Sequence, residues 1–98
     1  MKMTIDFNMN EKNLGVALDG RLDTITAPEF ESFLAERYNA ITSLTIDCEK
    51  LAYVSSAGLR VLLAAQKKMK GAMKLKNVNE LVMEVFEMTG FVDILVIE

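Results

Sequence analysis

The sequence predicts an α/β fold of element order ββαβαβαβ: a mostly parallel open sheet with an antiparallel N-terminal edge strand and helices packed against it. Three observations carry this. Short segments place apolar residues at every second position, the period of a strand with one buried face. Longer segments place them three and four apart, the spacing of an amphipathic helix. After an initial pair of strands the two kinds alternate strictly, which favours right-handed crossovers between parallel strands over a bundle or a sandwich. A ferredoxin-like split βαβ arrangement comes nearest among the alternatives but has one helix too few.

Met3, Ile5, Phe7 and Met9 alternate with Thr4, Asp6, Asn8 and Asn10, giving a first strand with one buried face. Leu14, Val16 and Leu18 repeat the pattern after a polar turn at residues 10–13, so the two segments form a hairpin. Thr26-Ala27-Pro28-Glu29 fits a capping box: Thr26 accepts from the first turn, Glu29 reaches back, and Pro28 sits where no amide donor is needed. The helix that follows carries Phe30, Phe33, Leu34 and Tyr38 on one stripe and ends near Asn39. Leu44, Ile46 and Cys48 mark a third strand. Residues 57–69 form a second helix, buried through Leu59, Leu62, Leu63 and Met69. Lys67, Lys68 and Lys70 complement its C-terminal dipole and Gly71 ends it. Met73 and Leu75 give a fourth strand. Asn79 caps a third helix with Leu81, Val82, Val85 and Phe86 inward, and Gly90 stops it. The apolar run 94–97 reads as a final strand covered on both faces.

A chain of 98 residues makes one domain, spanning 1–98. Its 51% hydrophobic content excludes intrinsic disorder. Eleven basic against fourteen acidic side chains leave a net charge of −3, without the cationic field that direct nucleic-acid binding requires. The longest uninterrupted apolar run, 61–65, is too short to cross a bilayer, and Asp6 breaks any signal-peptide pattern. Both point to a cytoplasmic protein with no membrane insertion. Cys48 is the only cysteine and histidine is absent, so the sequence offers no internal disulfide, no metal site and no imidazole-based nucleophile; Cys48 reads as a buried, inert thiol. A phosphate loop of the G-x-x-x-x-G-K-[ST] type is also missing. The expectation is a protein that is not an enzyme and carries no cofactor.

The segment Tyr53-Val54-Ser55-Ser56-Ala57-Gly58-Leu59 places two hydroxyls at the start of the second helix. One serine suffices as the N-cap. Gly58 costs up to about 1 kcal/mol of helix propensity relative to alanine while letting another backbone or a ligand come close. A phosphate on either hydroxyl would face free backbone amides and the positive end of the helix dipole, and the helix would tolerate it.

These residues resemble the phosphorylation loop of STAS domains, specifically of the bacterial anti-sigma factor antagonists (anti-anti-sigma factors). Gly20-Arg21-Leu22-Asp23 with Thr26-Ala27 is similar to the family's G-x-L-D…T-A segment. Residues 51–59 are similar to its L-x-[FY]-[IVM]-D-S-[ST]-G-L motif. Residues 83–91, with Phe86, Gly90 and Phe91, resemble the ending of its third helix. The resemblance implies that Ser56 is the phosphoacceptor, with Ser55 a secondary acceptor or the helix cap, since Ser55 stands where the family usually has aspartate. It implies a partner surface comprising Asp23, Thr24, Ala57, Gly58 and Arg60. The partners it implies are an anti-sigma factor with serine kinase activity and a phosphatase of the PP2C type. Unmodified, the protein would bind the anti-sigma factor and release a sigma factor, regulating transcription. The alternative is a constitutive STAS scaffold subunit of a transporter or signalling assembly, with Ser56 never modified. Met83, among Glu80, Glu84 and Glu87, is expected off the buried stripe.

Overall fold

A two-residue turn at Glu11 and Lys12 folds β1 (Thr4–Asn10) back on β2 (Asn13–Leu22) as an antiparallel pair in the computed structural model of the chain, which describes residues 3–98. Strand β2 then pairs in parallel with β3 (Ser43–Val54), and β3 with β4 (Met73–Lys76), giving the order β1-β2-β3-β4. Helix α1 (Ala27–Ala35) connects β2 to β3, α2 (Ser56–Lys68) connects β3 to β4, and α3 (Glu80–Thr89) follows β4. The predicted α/β class is observed: among the described residues the sheet is mixed, antiparallel only at its first strand, and has four strands, one fewer than the predicted order, with three α-helices.

Period-two patterning becomes packing on one face. Leu14, Val16 and Leu18 of β2, Leu44, Ile46 and Cys48 of β3, and Met73 and Leu75 of β4 are buried. They belong to one core with Phe30 and Leu34 of α1, Leu62 and Ala65 of α2, and Val82 and Phe86 of α3. Burial of each large side chain contributes roughly 1.5–3 kcal/mol, so this layer holds helices and sheet together. The opposite face is bare and polar, with Asp6, Asn8, Asp19, Lys74 and Lys76 exposed. Asn79 caps α3 as predicted, its Oδ1 accepting from Val82 N at 3.0 Å, and Gly90 ends that helix at φ 80°. Among the described residues, no helix is long and apolar enough to cross a membrane.

Five expectations need correction. The first strand buries only Met3 fully on its helix-side face; Phe7 is 52% and Met9 43% exposed, because β1 lies at the sheet edge and α1 reaches it from one side only. Helix α1 stops at Ala35, not near Asn39: the Arg37 guanidinium donates to the Phe33 carbonyl at 2.7 Å, and a 3₁₀ turn at Tyr38–Ala40 follows. The third strand runs on to Val54, so Leu51 to Val54 lie in the sheet and not in a connection. Leu81 is 68% exposed on the outer side of α3, while Met83, expected outward, is half-buried. The run 94–97 forms only a bridge between Ile97 and Leu75, after a 3₁₀ turn at Phe91–Asp93. With one sheet face bare it cannot be covered on both sides: Leu95 is buried, but Ile94 and Val96 are exposed.

Cys48 is buried, and desolvation, aided by the neighbouring Asp47 carboxylate, pushes its thiol up to about 12. The thiolate fraction at pH 8 is then about three orders of magnitude below that of a free cysteine. A chromogenic thiol reagent is expected to leave the folded protein untouched at pH 8 and to titrate one thiol once denaturant unfolds it; rapid labelling of the folded chain would contradict the placement.

Candidate functional site

Strands β2 and β3 end side by side, with Arg21 opposite Tyr53 and Leu22 opposite Val54, after a register shift at Gly20, whose φ of 120° suits glycine. The carboxyl ends of parallel strands are where α/β folds place their sites. Here the end of β3 passes directly into α2. Ser55 is extended, donates its backbone N–H to the Leu22 carbonyl at 2.9 Å, and caps the helix, its Oγ accepting from Gly58 N at 3.3 Å. The first intrahelical bond runs from Leu59 N to the Ser55 carbonyl. Ser56 is therefore the first helical residue. It is exposed and relieved of capping by its neighbour.

Gly58 explains how the helix start comes so close to β2. A Cβ at this position would stand 2.7 Å from the Leu22 carbonyl oxygen and 2.8 Å from Leu22 Cγ. The space that glycine leaves is filled by a backbone of the protein itself. Gly58 is buried, so this member of the expected partner surface faces inward and positions the others.

The loop leaving β2 is built around Asp23. Its Oδ1 accepts from the backbone N–H groups of Ile25 (3.0 Å) and Thr26 (3.1 Å) and from the Thr26 hydroxyl (3.2 Å). The predicted capping box does not form. Thr26 is helical in backbone, makes no cap bond to the first turn of α1, and is buried with its hydroxyl 2.6 Å from the Arg21 carbonyl and 2.9 Å from Asp23 N. Asp23 accepts the Thr26 backbone N–H that Glu29 would accept in the box, and the Thr26 hydroxyl is engaged by the Arg21 carbonyl and Asp23 N instead of the first turn. Arg21 lies over the Tyr53 ring at 4.3 Å and 3.8 Å from Asp23 Oδ2.

The Thr26 backbone N–H foremost holds the Asp23 carboxyl below its usual range; burial, next in size, opposes it, and the Ile25 N–H, the Thr26 hydroxyl and the Arg21 guanidinium add to the lowering. A carboxyl depressed in the folded state stabilises the fold above its unfolded pKa, about 4, and loses that contribution as pH falls through the lower folded value. Asp23→Ala is expected to lower the melting temperature at pH 7, and the gap from wild type should narrow as pH drops below about 4. A gap independent of pH would show that the charge does not matter there.

Of the expected site residues, the structure brings Ser55, Ser56, Ala57 and Gly58 together in the first turn of α2 and joins them through Leu22 to the loop of Asp23 and Thr24. Thr24 and Arg60 are exposed, and Ala57 is half-buried. Sequence reasoning missed three neighbours: Ile25, 79% exposed in that loop, Tyr53, 39% exposed at the end of β3, and Arg21 stacked on it. An isoleucine in a loop otherwise made of Asp and Thr was the available signal. Among the described residues, no three His, Cys, Asp or Glu side chains converge as a metal site.

Comparison with known proteins agrees with the fold. The family model described as "Mlab, STAS domain" matches residues 5–97. The chain is 30% identical over 98 residues to the anti-sigma-B factor antagonist of Bacillus subtilis, covering 97% of this chain and 90% of that protein. It is 34% identical over 98 residues to the putative anti-sigma factor antagonist BtrV of Bordetella bronchiseptica, covering 96% and 83%. The unphosphorylated anti-sigma factor antagonist SpoIIAA superposes with a TM-score of 0.82 at 18% identity over 97% of this chain and 88% of that one.

Proposed function

Because the chain belongs to the STAS-domain family of anti-sigma factor antagonists, we propose that it is a phosphorylation-controlled binding module whose switch is the Ser56 hydroxyl. With Ser56 bare, it docks on an anti-sigma factor that is also a serine kinase and frees a sigma factor. That kinase transfers the γ-phosphoryl group of ATP to the Ser56 hydroxyl, releasing ADP, and ends the association; a PP2C-type phosphatase hydrolyses the ester, releasing phosphate, and restores it. The protein is substrate and ligand in this cycle, acting in the cytoplasm, and catalysis belongs to its partners.

One observation carries the reading. Ser56 is exposed in the first turn of α2, and Ser55 alone does the capping, so Ser56 can be esterified without undoing the helix. The amides of Ser56 and Ala57 precede the first intrahelical bond, and a phosphate there meets unpaired donors and the positive end of the dipole. The same group lays about −1.5 to −2 charges on the surface that must be desolvated for docking. Ser55, in the place where the family usually has aspartate, supplies the same cap as a carboxylate would, without its charge. In this reading Asp23, Thr24, Ala57 and Arg60 are partner contacts, and the exposed Ile25 and Tyr53 add apolar area.

The test is to incubate the protein with ATP and the anti-sigma factor kinase and to locate the phosphate by mass spectrometry. Expected is one phosphate, on Ser56, retained in Ser55→Ala and lost in Ser56→Ala. No phosphate would favour the constitutive scaffold reading in which the first turn of α2 is only structural; phosphate on Ser55 alone would keep a phosphorylated module but overturn Ser56 as its switch.

A further inference from the structure

Strand β1 is an edge strand with an unusual lack of protection. Its outer side has no strand beside it among the described residues, its seven-residue register with β2 is unbroken by any bulge, and it contains no proline. Natural edges are commonly blunted by such devices or by lysines, because an open row of N–H and C=O groups invites another strand. The only charge here is Asp6. On the helix side of the strand, Phe7 and Met9 remain 52% and 43% exposed. Phe7 is held in place by Phe33, with ring centroids 5.0 Å apart, and by the Arg37 guanidinium 4.8 Å from its centre. That clamp leaves the outward half of the ring open.

We propose that β1 pairs with β1 of a second copy of this chain, antiparallel about a two-fold axis at Phe7, joining two four-stranded sheets into one of eight strands. The sequence of the strand is self-complementary about that residue. With the axis at Phe7, Thr4 stands opposite Asn10, Ile5 opposite Met9, Asp6 opposite Asn8, and Phe7 opposite itself. All seven residues pair, apolar side chains meet only apolar ones, and no like charges face each other. Moving the axis to Asp6 sets two carboxylates face to face and carries the pairing beyond the start of β1, with Met9 opposite Met3. Moving it to Asn8 runs Thr4 and Ile5 against the turn. A slip that places the axis between residues sets apolar side chains opposite polar ones. In the favoured register the helices of both copies lie on the same side of the joint sheet, and both bare faces lie on the other. The pairing uses none of the residues of the α2 site, so it stands or falls separately from the switch. One strand pair buries less than a standard interface, so the association is weak and reversible.

Sedimentation velocity of the full chain at concentrations up to about 1 mM tests this, a range that reveals even weak dimers. Wild type is expected to shift reversibly from monomer to dimer. Asn8→Asp places a carboxylate opposite Asp6 of the second copy on both sides of the axis and should weaken the dimer about tenfold. Adding Asp6→Lys to Asn8→Asp converts both pairs to attraction and should restore it. Both positions lie on the bare face of the sheet, and circular dichroism checks that the monomers stay folded. A wild-type monomer throughout the range would overturn the proposal and leave this edge to a strand from another protein. A dimer indifferent to Asn8→Asp, or one that the double variant fails to restore, would overturn it as well.

Discussion

Gly58→Val is expected to destabilise the protein by about 2–4 kcal/mol and to lower its melting temperature by well over ten degrees, on the usual scale of about 4–8 °C per kcal/mol for a domain of this size. A Cβ at this position falls 2.7 Å from the Leu22 carbonyl oxygen and 2.8 Å from Leu22 Cγ. The first of these atoms is backbone and holds Ser55 N at 2.9 Å, so it cannot swing aside as a side-chain tip would. Either the first turn of α2 lifts away from β2, or the junction of β2 and β3 opens. Gly58→Ala meets the same contacts but recovers up to about 1 kcal/mol of helix propensity, so its loss should be the smaller of the two. Because the displaced turn carries Ser56, both variants should also be poorer kinase substrates than their residual folded fraction explains. Thermal unfolding followed by circular dichroism measures the first effect. A melting temperature within two or three degrees of wild type for Gly58→Val would show that α2 does not depend on this approach.

Phosphorylation of Ser56 should cost about three orders of magnitude in affinity for the anti-sigma factor, which corresponds to ~4 kcal/mol. Electrostatics can supply this without refolding. An uncompensated dianion must shed its water to enter an interface, and leaving one buried charge without a partner costs several kcal/mol. The free amides at the start of α2 accompany the phosphate into the complex and neutralise only part of its charge, so a net penalty remains. Ser56→Asp carries half the charge and lacks the three phosphate oxygens, so it should weaken binding on the order of ten- to a hundredfold. Ser56→Ala should bind as tightly as the unmodified protein.

Much of this was legible in the sequence, and the failures have physical causes. Alternation in β2, β3 and β4 was read correctly because those strands lie against helices along one face. In β1 the same pattern overstated burial, since period two reports which face a residue occupies and not whether anything covers it. The run 94–97 failed for a related reason: four apolar residues in a row fit a doubly covered strand, but the sheet has one bare face. Thr26 and Glu29 matched the capping box, yet Asp23 took the Thr26 amide and left the Thr26 side chain to brace the loop. At the site, the division of labour between Ser55 and Ser56 was expected in outline, because a helix needs one cap and two hydroxyls were present. That Gly58 makes room for Leu22 was beyond the sequence, since the approach joins residues 36 positions apart. Tyr53 was missed because an exposed apolar residue in a strand looks, in sequence, like any core residue, whereas Ile25 carried a signal in its polar loop.

The most direct measurement is a calorimetric titration of the anti-sigma factor with the unmodified protein and with the same protein phosphorylated on Ser56, at one ionic strength. The account predicts tight binding for the first and an affinity about a thousandfold lower for the second, with the far-ultraviolet spectrum of the protein unchanged. Equal affinities for the two forms would contradict it.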